Sequence, residues 1–227
     1  MPLLGRSAML LSFDVAPEAV DEHDRWHTHE HLPERLSIPG FRRGTRWVAI
    51  EGGPRYLVLY EVDDLAVLTS PAYLDRLDHP TPWTARMMPH YRGMRRGLCA
   101  VAGSVGFGMG GTAALLRYRA DEAAAPDLDR WLLDEVLPGL VEGPGLGSAH
   151  LLHGAVAAPM TEEQRIRGAD GGVDSAIIVT GYDGDAVAAC ARQLSGAGLL
   201  PGHGAQEVTW AVYDRHYALA ATELARS

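Results

Sequence analysis

The chain contains no lysine: all 20 of its basic residues are arginine. That excludes chemistry through a lysine Schiff base, a pyridoxal phosphate attachment or a phosphate-loop lysine. Cysteine is nearly as scarce. Cys99 and Cys190 stand far apart in apolar surroundings (GLCAVAG and VAACARQ), so both read as small buried hydrophobes and no disulfide framework is indicated. Clusters of positive charge are missing too. With a net charge of −9 and no basic run, the chain is not built to neutralise several phosphates at once, which argues against nucleic acid and anionic membrane surfaces as partners. No run of about 18 apolar residues occurs, and MPLLGRSAMLLSFD lacks the features of a secretory signal, so the expectation is a soluble cytoplasmic protein. What remains is ordinary globular composition, 47% hydrophobic and 22% charged over 227 residues, enough for one large domain or two small ones.

The strongest pattern is self-similarity at an offset of 105 residues. LLSFD at 10–14 matches LLRYR at 115–119, Asp24-Arg25-Trp26 returns as Asp129-Arg130-Trp131, and Glu30 returns as Glu135. Leu32-Pro33 returns as Leu137-Pro138, and Pro39-Gly40 as Pro144-Gly145. Beyond that block the register slips by about fifteen residues, because RYLVLYEVDD at 55–64 resembles SAIIVTGYDG at 175–184. An insertion at 154–171 in the second copy fits this slip, and within it Thr161 and Gln164 have capping-box spacing, which predicts a short helix.

Each copy reads as strand, helix, strand, strand, helix, strand, the ferredoxin-like βαββαβ order of an α+β fold. The first copy spans 1–102, a glycine-rich linker 103–111, and the second, degenerate copy 112–227. In the first copy Pro33 is expected to end or kink the first helix. Gly106, Gly108 and Gly111 satisfy G-x-G-x-x-G literally, but a strand pattern follows instead of a helix, so a dinucleotide site is not expected there.

A doubled chain carries an internal control: residues shared by both copies serve the common fold, and polar residues present in only one are candidates for function. Positions 19, 20, 23, 26, 27, 30 and 31 share one side of the first helix. The second copy fills the matching side with an almost wholly apolar stripe. The first copy puts His23, His27 and His31 where the second has Leu128, Leu132 and Val136. Replacing aliphatic side chains by imidazoles loses roughly 2 kcal/mol of hydrophobic stabilisation each, and the rings then need partners or water, which a pocket would supply. Trp26 and Glu30 are duplicated and so read as structural, although Glu30, one turn from His27, is also placed to orient an imidazole. Arg35, with Leu140 as its counterpart, is a candidate for holding a carboxylate or enolate oxygen. Trp83, Met87, Met88, His90 and Tyr91, in a segment the second copy shortens, are candidate pocket walls.

Other site types are less well supported. HTHEH at 27–31 matches H-x-x-E-H, but a catalytic zinc needs a third protein ligand that nothing marks beyond the neighbourhood of His79 and His90. No G-x-S-x-G occurs.

Trp26, His31-Leu32-Pro33 and Pro39-Gly40-Phe41 leading into a strand resemble the EthD-like branch of the dimeric α+β barrel superfamily. The resemblance covers most of 8–100 and, more weakly, 112–218, where Val136 replaces the motif's histidine. It implies two ferredoxin-like units with sheets face to face as a barrel, helices outside, and a ligand between sheet and helices. A tandem chain would complete that barrel by itself, with a homodimer as a further option. The superfamily includes isomerases, cofactor-free monooxygenases, cyclases and haem enzymes.

The expectation is therefore a small-molecule enzyme, of isomerase, lyase or cyclase type, acting by acid–base chemistry on a hydrophobic carbonyl or phenolic compound. His27 or His31 would be the base, Glu30 its orienting partner and Arg35 the oxyanion holder. His23, Trp26, Trp83, Met87, His90 and Tyr91 would contact the substrate. No cofactor is expected, with haem or zinc as lesser options. A non-catalytic binding protein for a hydrophobic metabolite, and a haem-binding or cofactor-free monooxygenase, are the alternatives.

Overall fold

The computed structural model of the protein describes residues 3–156 and 160–224; residues 157–159 of the expected insertion lie outside the described residues. The first half runs β1 (Ser7–Val15), α1 (Val20–Trp26), a wide π turn (His27–His31), α2 (Leu32–Leu36), β2 (Phe41–Glu51), β3 (Tyr56–Val62), α3 (Pro71–Asp78), α4 (Pro82–Met87) and β4 (Tyr91–Gly106). The second runs β5 (Thr112–Ala120), α5 (Ala125–Trp131), a second π turn (Leu132–Val136), α6 (Leu137–Val141), β6 (Leu146–Val156), α7 (Glu162–Arg167), β7 (Ser175–Gly181), α8 (Gly184–Ser195) and β8 (Ala205–Ala220), followed by the short α9 (Ala221–Leu224).

The eight strands close into one antiparallel barrel in the order β1-β3-β2-β8-β5-β7-β6-β4. Within each half the order is that of a ferredoxin-like sheet. The halves are joined by the two longest strands. β4 pairs with β1 and then continues alongside β6, and β8 pairs with β5 and then with β2. Closure removes every free sheet edge. It also corrects the expected linker: 103–106 belong to β4, because they pair with Ser148–Leu151 of the other half.

β1, β5, the split helices with their π turns, β2 and β6 start and stop 105 residues apart in the two halves, to the residue. β3 and β7 begin at Tyr56 and Ser175, an offset of 119, so the slip is fourteen residues and not fifteen. Pairing fixes this: Leu11 opposes Val58, and its counterpart Leu116 opposes Ile177. A one-residue error in register exchanges the two faces of a strand. With the observed register Tyr60 corresponds to Val179 on the helix side, and Tyr91 to Ala205.

Pro33 does not end its helix, which continues to Leu36. In a regular helix the proline ring would collide with the carbonyl of His29. The π turn just before it spaces that carbonyl away, and Pro138 is preceded by the same device.

Three apolar layers result. Leu10, Trp47, Leu57, Leu59, Leu115, Ile178 and Tyr213 fill the barrel interior, which is a packed core. The other two layers lie between sheet and helices, one in each half. β3 and β7 are buried on both faces, which is why YLVLYEV and SAIIVTG read as continuous apolar runs and do not alternate.

Candidate functional site

The first helix presents His23, His27, His31 and Arg35 at intervals of four. Four residues carry an α-helix about 40° past one turn, so such a column would wind about 120° over its length. The additional residue in the π turn takes back about 100° of that winding. The observed rings form an even ladder, with centroids 5.5 Å apart from His23 to His27 and again from His27 to His31.

All four side chains are buried, at 0%, 1%, 8% and 1% exposure respectively. His23 is held at both nitrogens, Nδ1 by Asp24 at 3.2 Å and Nε2 by the Tyr91 hydroxyl at 3.3 Å. His27 meets the Tyr60 hydroxyl at 3.4 Å through Nε2, while its Nδ1 has no partner. His31 stacks on Trp26 with centroids 4.3 Å apart, and its buried Nδ1 likewise lacks a partner. Burial pushes the pKa of all three imidazoles down, most for His27 and His31, and the positive charge of Arg35 adds to the shift at both. They are neutral at neutral pH, able to accept a proton only where a new negative charge accompanies it.

His27, His31 and Arg35 face β1 and β4 across a cavity of about 30 Å³, enough for a water or two. Phe13, Tyr73, Met88, Tyr91 and Arg96 are among the other first-half residues that line it. Thr161, Glu163 and Arg167 close it from the second, all carried by α7 or its N-cap. Thr161 precedes the helix as expected, but its hydroxyl does not cap it; the Oγ1 is buried at the cavity without a hydrogen bond. Arg35 donates to Glu163 in a short, fully buried ion pair and lies 3.5 Å from Glu34. These carboxylates hold the guanidinium charged despite the burial that opposes it. Arg96 donates to the Tyr73 hydroxyl at 3.1 Å and also lines a wider outer cleft of about 450 Å³, bordered by Gly154, Gln164, Asp170 and Gly171.

Of the candidate residues, His27, His31, Arg35, Met88 and Tyr91 meet at the cavity, and His23 lies directly behind Tyr91. The other expectations need correction. Glu30 touches no imidazole: its Oε1 turns outward to accept from the Thr81 hydroxyl at 2.5 Å and the Trp26 indole at 3.2 Å, tying the helix to the start of α4. Trp26 is core, behind His31. Trp83 lies on the outer surface, donating to Glu22 at 2.8 Å with Arg25 over its ring. Met87 is buried beneath α4 and His90 is half-exposed, and neither lines the cavity. HTHEH does not assemble as a zinc signature, because Glu30 faces away from His27 and His31. Among the described residues no three His, Cys, Asp or Glu side chains are grouped to hold a metal ion.

Tyr60, Tyr73, Arg96, Glu163 and Arg167 were not anticipated. The repeat contains the signal for two of them. Tyr60 corresponds to Val179 and Arg96 to Trp210 once the register is set by pairing, so both are polar only in the first half. Glu163 and Arg167 lie in the insertion, which has no counterpart to compare.

The molecule is thus a closed eight-stranded α+β barrel of two ferredoxin-like halves with an enclosed polar site between sheet and helix. No protein-family model matches the chain, and no curated protein does. Solved structures share this fold over nearly the whole length of the chain. An anthrone oxidase-like protein is 12% identical, covering 97% of this chain and 96% of its own, with a TM-score of 0.65. A candidate monooxygenase of Fusobacterium nucleatum is 7% identical over 96% of each chain, with a TM-score of 0.63. One of Lactobacillus acidophilus is 8% identical, covering 95% and 96%, with a TM-score of 0.58. Among the described residues no helix is long and apolar enough to cross a membrane.

Proposed function

We propose that the protein is a small-molecule enzyme that removes a proton from an aromatic ketone or phenol, with His31 as base and Arg35 as the holder of the resulting oxyanion. The observation that carries this reading is the pair of neutral imidazoles, each with an unpartnered Nδ1, beside a buried guanidinium at a cavity. Burial disfavours an imidazolium by itself. An enolate or phenolate formed in the same step supplies the compensating charge, and Arg35 favours that anion further. Tyr60 steadies His27, and Tyr91 and Asp24 steady His23, the role expected of Glu30. No step draws on a bound cofactor. The reaction is then completed by isomerisation, elimination or cyclisation.

A second reading is favoured by what the structural neighbours are called: the same anion reacts with molecular oxygen. Anthrone, a ketone with acidic ring protons, tests both. Hydrogen–deuterium exchange into anthrone in deuterated water, catalysed by the wild type and lost in His31→Leu, supports proton removal. Oxygen uptake accompanying it selects oxygenation. Binding without exchange or oxygen uptake overturns both in favour of a carrier.

A further inference from the structure

We infer that the ligand of this site presents an anionic oxygen that takes the place of the Glu163 carboxylate on Arg35, so that α7 is a displaceable internal competitor. The inference rests on the enzyme reading above, because it names the form of substrate that the same site holds.

Glu163 and Arg35 come from opposite halves of the barrel, yet each is almost wholly buried, and the pair occupies the space beside His31 that a ligand would need. A guanidinium already paired in this way has little left to offer a developing oxyanion. The cavity is also too small, at about 30 Å³, to admit an aromatic ring beside the imidazoles. Moving α7 resolves both difficulties at once. Gln164 of α7 borders the outer cleft of about 450 Å³, and Arg96 borders both spaces, so withdrawal of this helix joins them into a volume of ligand size. Arg35 stays in place meanwhile, held by Glu34 at 3.5 Å and by the face of the Tyr73 ring at 5.9 Å.

The helix is lightly anchored for such a movement. It is six residues long, and its ties to the first half, apart from the Glu163 pair, are the Glu162 amide donating to the Asp78 carboxylate at 3.1 Å, Arg167 over the Tyr91 ring at 6.0 Å and 3.7 Å from the Met88 sulfur, and Ile166 packed against the apolar layer. It ends at Gly168, whose φ of +102° marks the joint to the segment that rejoins β4 through Gly171. A carboxylate buried by an insertion against a first-half arginine is a poor stabilising device, since an apolar pair would serve as well. It makes a good stand-in for an anion that comes and goes.

The test uses 4-nitrophenol, whose phenolate is yellow and whose phenol is not, titrated into the full chain. Glu163→Gln keeps the shape and removes the competing charge, and is expected to bind the phenolate about tenfold more tightly than the wild type. The double variant Arg35→Gln/Glu163→Gln, which removes both members of the buried pair, is expected to lose that gain, and the neutral 4-nitroanisole to bind all three proteins alike. Equal phenolate affinity in the wild type and Glu163→Gln, or a gain that survives in the double variant, overturns the inference. The outcome is separable from the enzyme reading: a gain specific to Glu163→Gln alongside normal deuterium exchange in His31→Leu keeps the anion site and removes the base.

Discussion

The two halves of this barrel place a helix with the same π turn over the same kind of sheet, and they cover it differently. In the second half Leu128 and Leu132 are buried, but Trp131 is only partly covered, stacked on His203 at 3.7 Å, and Glu135 is exposed. In the first half the helix is the more deeply buried of the two, although it carries three imidazoles and an arginine. Additional chain covers it: α4 on one side and α7, lent by the other half, on the other. The apolar helix needs no cover, since its stripe meets the sheet. The polar one is enclosed at the cost of extra structure, and enclosure makes its imidazoles neutral. The difference separates a half that meets its sheet with apolar side chains from a half that encloses polar ones.

The largest expected effect comes from making the first half resemble the second. His27→Leu/His31→Leu installs the residue found at 132 and a close relative of that at 136. Turnover in the exchange assay should fall about 10²–10⁴-fold, the usual contribution of a positioned base. Thermal unfolding should stay cooperative at an unchanged or higher temperature, because two unpartnered buried nitrogens are removed. Full activity in this variant would end the comparison.

The reverse exchange should damage the fold instead. Leu132 is fully buried in an apolar layer, and Leu132→His loses its transfer free energy and buries a ring with nothing to bond. The expected cost is about 3–5 kcal/mol, read from denaturant midpoints. A cost below about 1 kcal/mol would mean that both helices tolerate imidazole equally.

The repeat made most of this visible from sequence. It gave the fold, the helix face and the histidine column, because each is a local property repeated at a constant spacing. The remainder was illegible for identifiable reasons. Register errors of one residue hid Tyr60, since facing alternates along a strand. Arg167 and Glu163 approach the first half only through barrel closure, which brings 163 to 35 across 128 positions of chain. Glu30 was misread because residues one turn apart share a helix face without sharing a direction, and its partner Thr81 lies on another helix.

Acid sharpens the contrast further. Burial lowers the folded-state pKa of His23, His27 and His31 below the ordinary value of 6.5, so the unfolded chain binds protons that the native one refuses. Their contribution to stability is complete above pH 6.5 and lost as the pH falls through that value towards the folded-state pKa. The second half has a counterpart in His150, buried between Ser104 and Ser148 and lowered to about 4. That shift corresponds to about 3 kcal/mol. Wild-type unfolding free energy should therefore drop between pH 7 and 4, and the drop should be smaller in His27→Leu/His31→Leu by the share of those two rings. Identical pH slopes would show that the rings titrate normally and face water.

The smallest effect tests the pair that both halves share by sequence. Trp26 and Glu30 recur as Trp131 and Glu135, but the contact does not recur: the first indole donates to its carboxylate at 3.2 Å, and the second stacks on His203. Glu30 also accepts from Thr81, which caps α4 by accepting from the Thr84 amide. Glu30→Gln should thus cost about 1–2 kcal/mol, because two hydrogen bonds to a charged acceptor weaken and one amide hydrogen faces the Thr81 hydroxyl. Glu135→Gln, on an exposed carboxylate, should stay within about 0.5 kcal/mol. The exchange rate should not change in either variant, since neither carboxylate touches an imidazole. A loss of turnover in Glu30→Gln at unchanged stability would return Glu30 to the site and make the repeated pair a functional one in the first half alone.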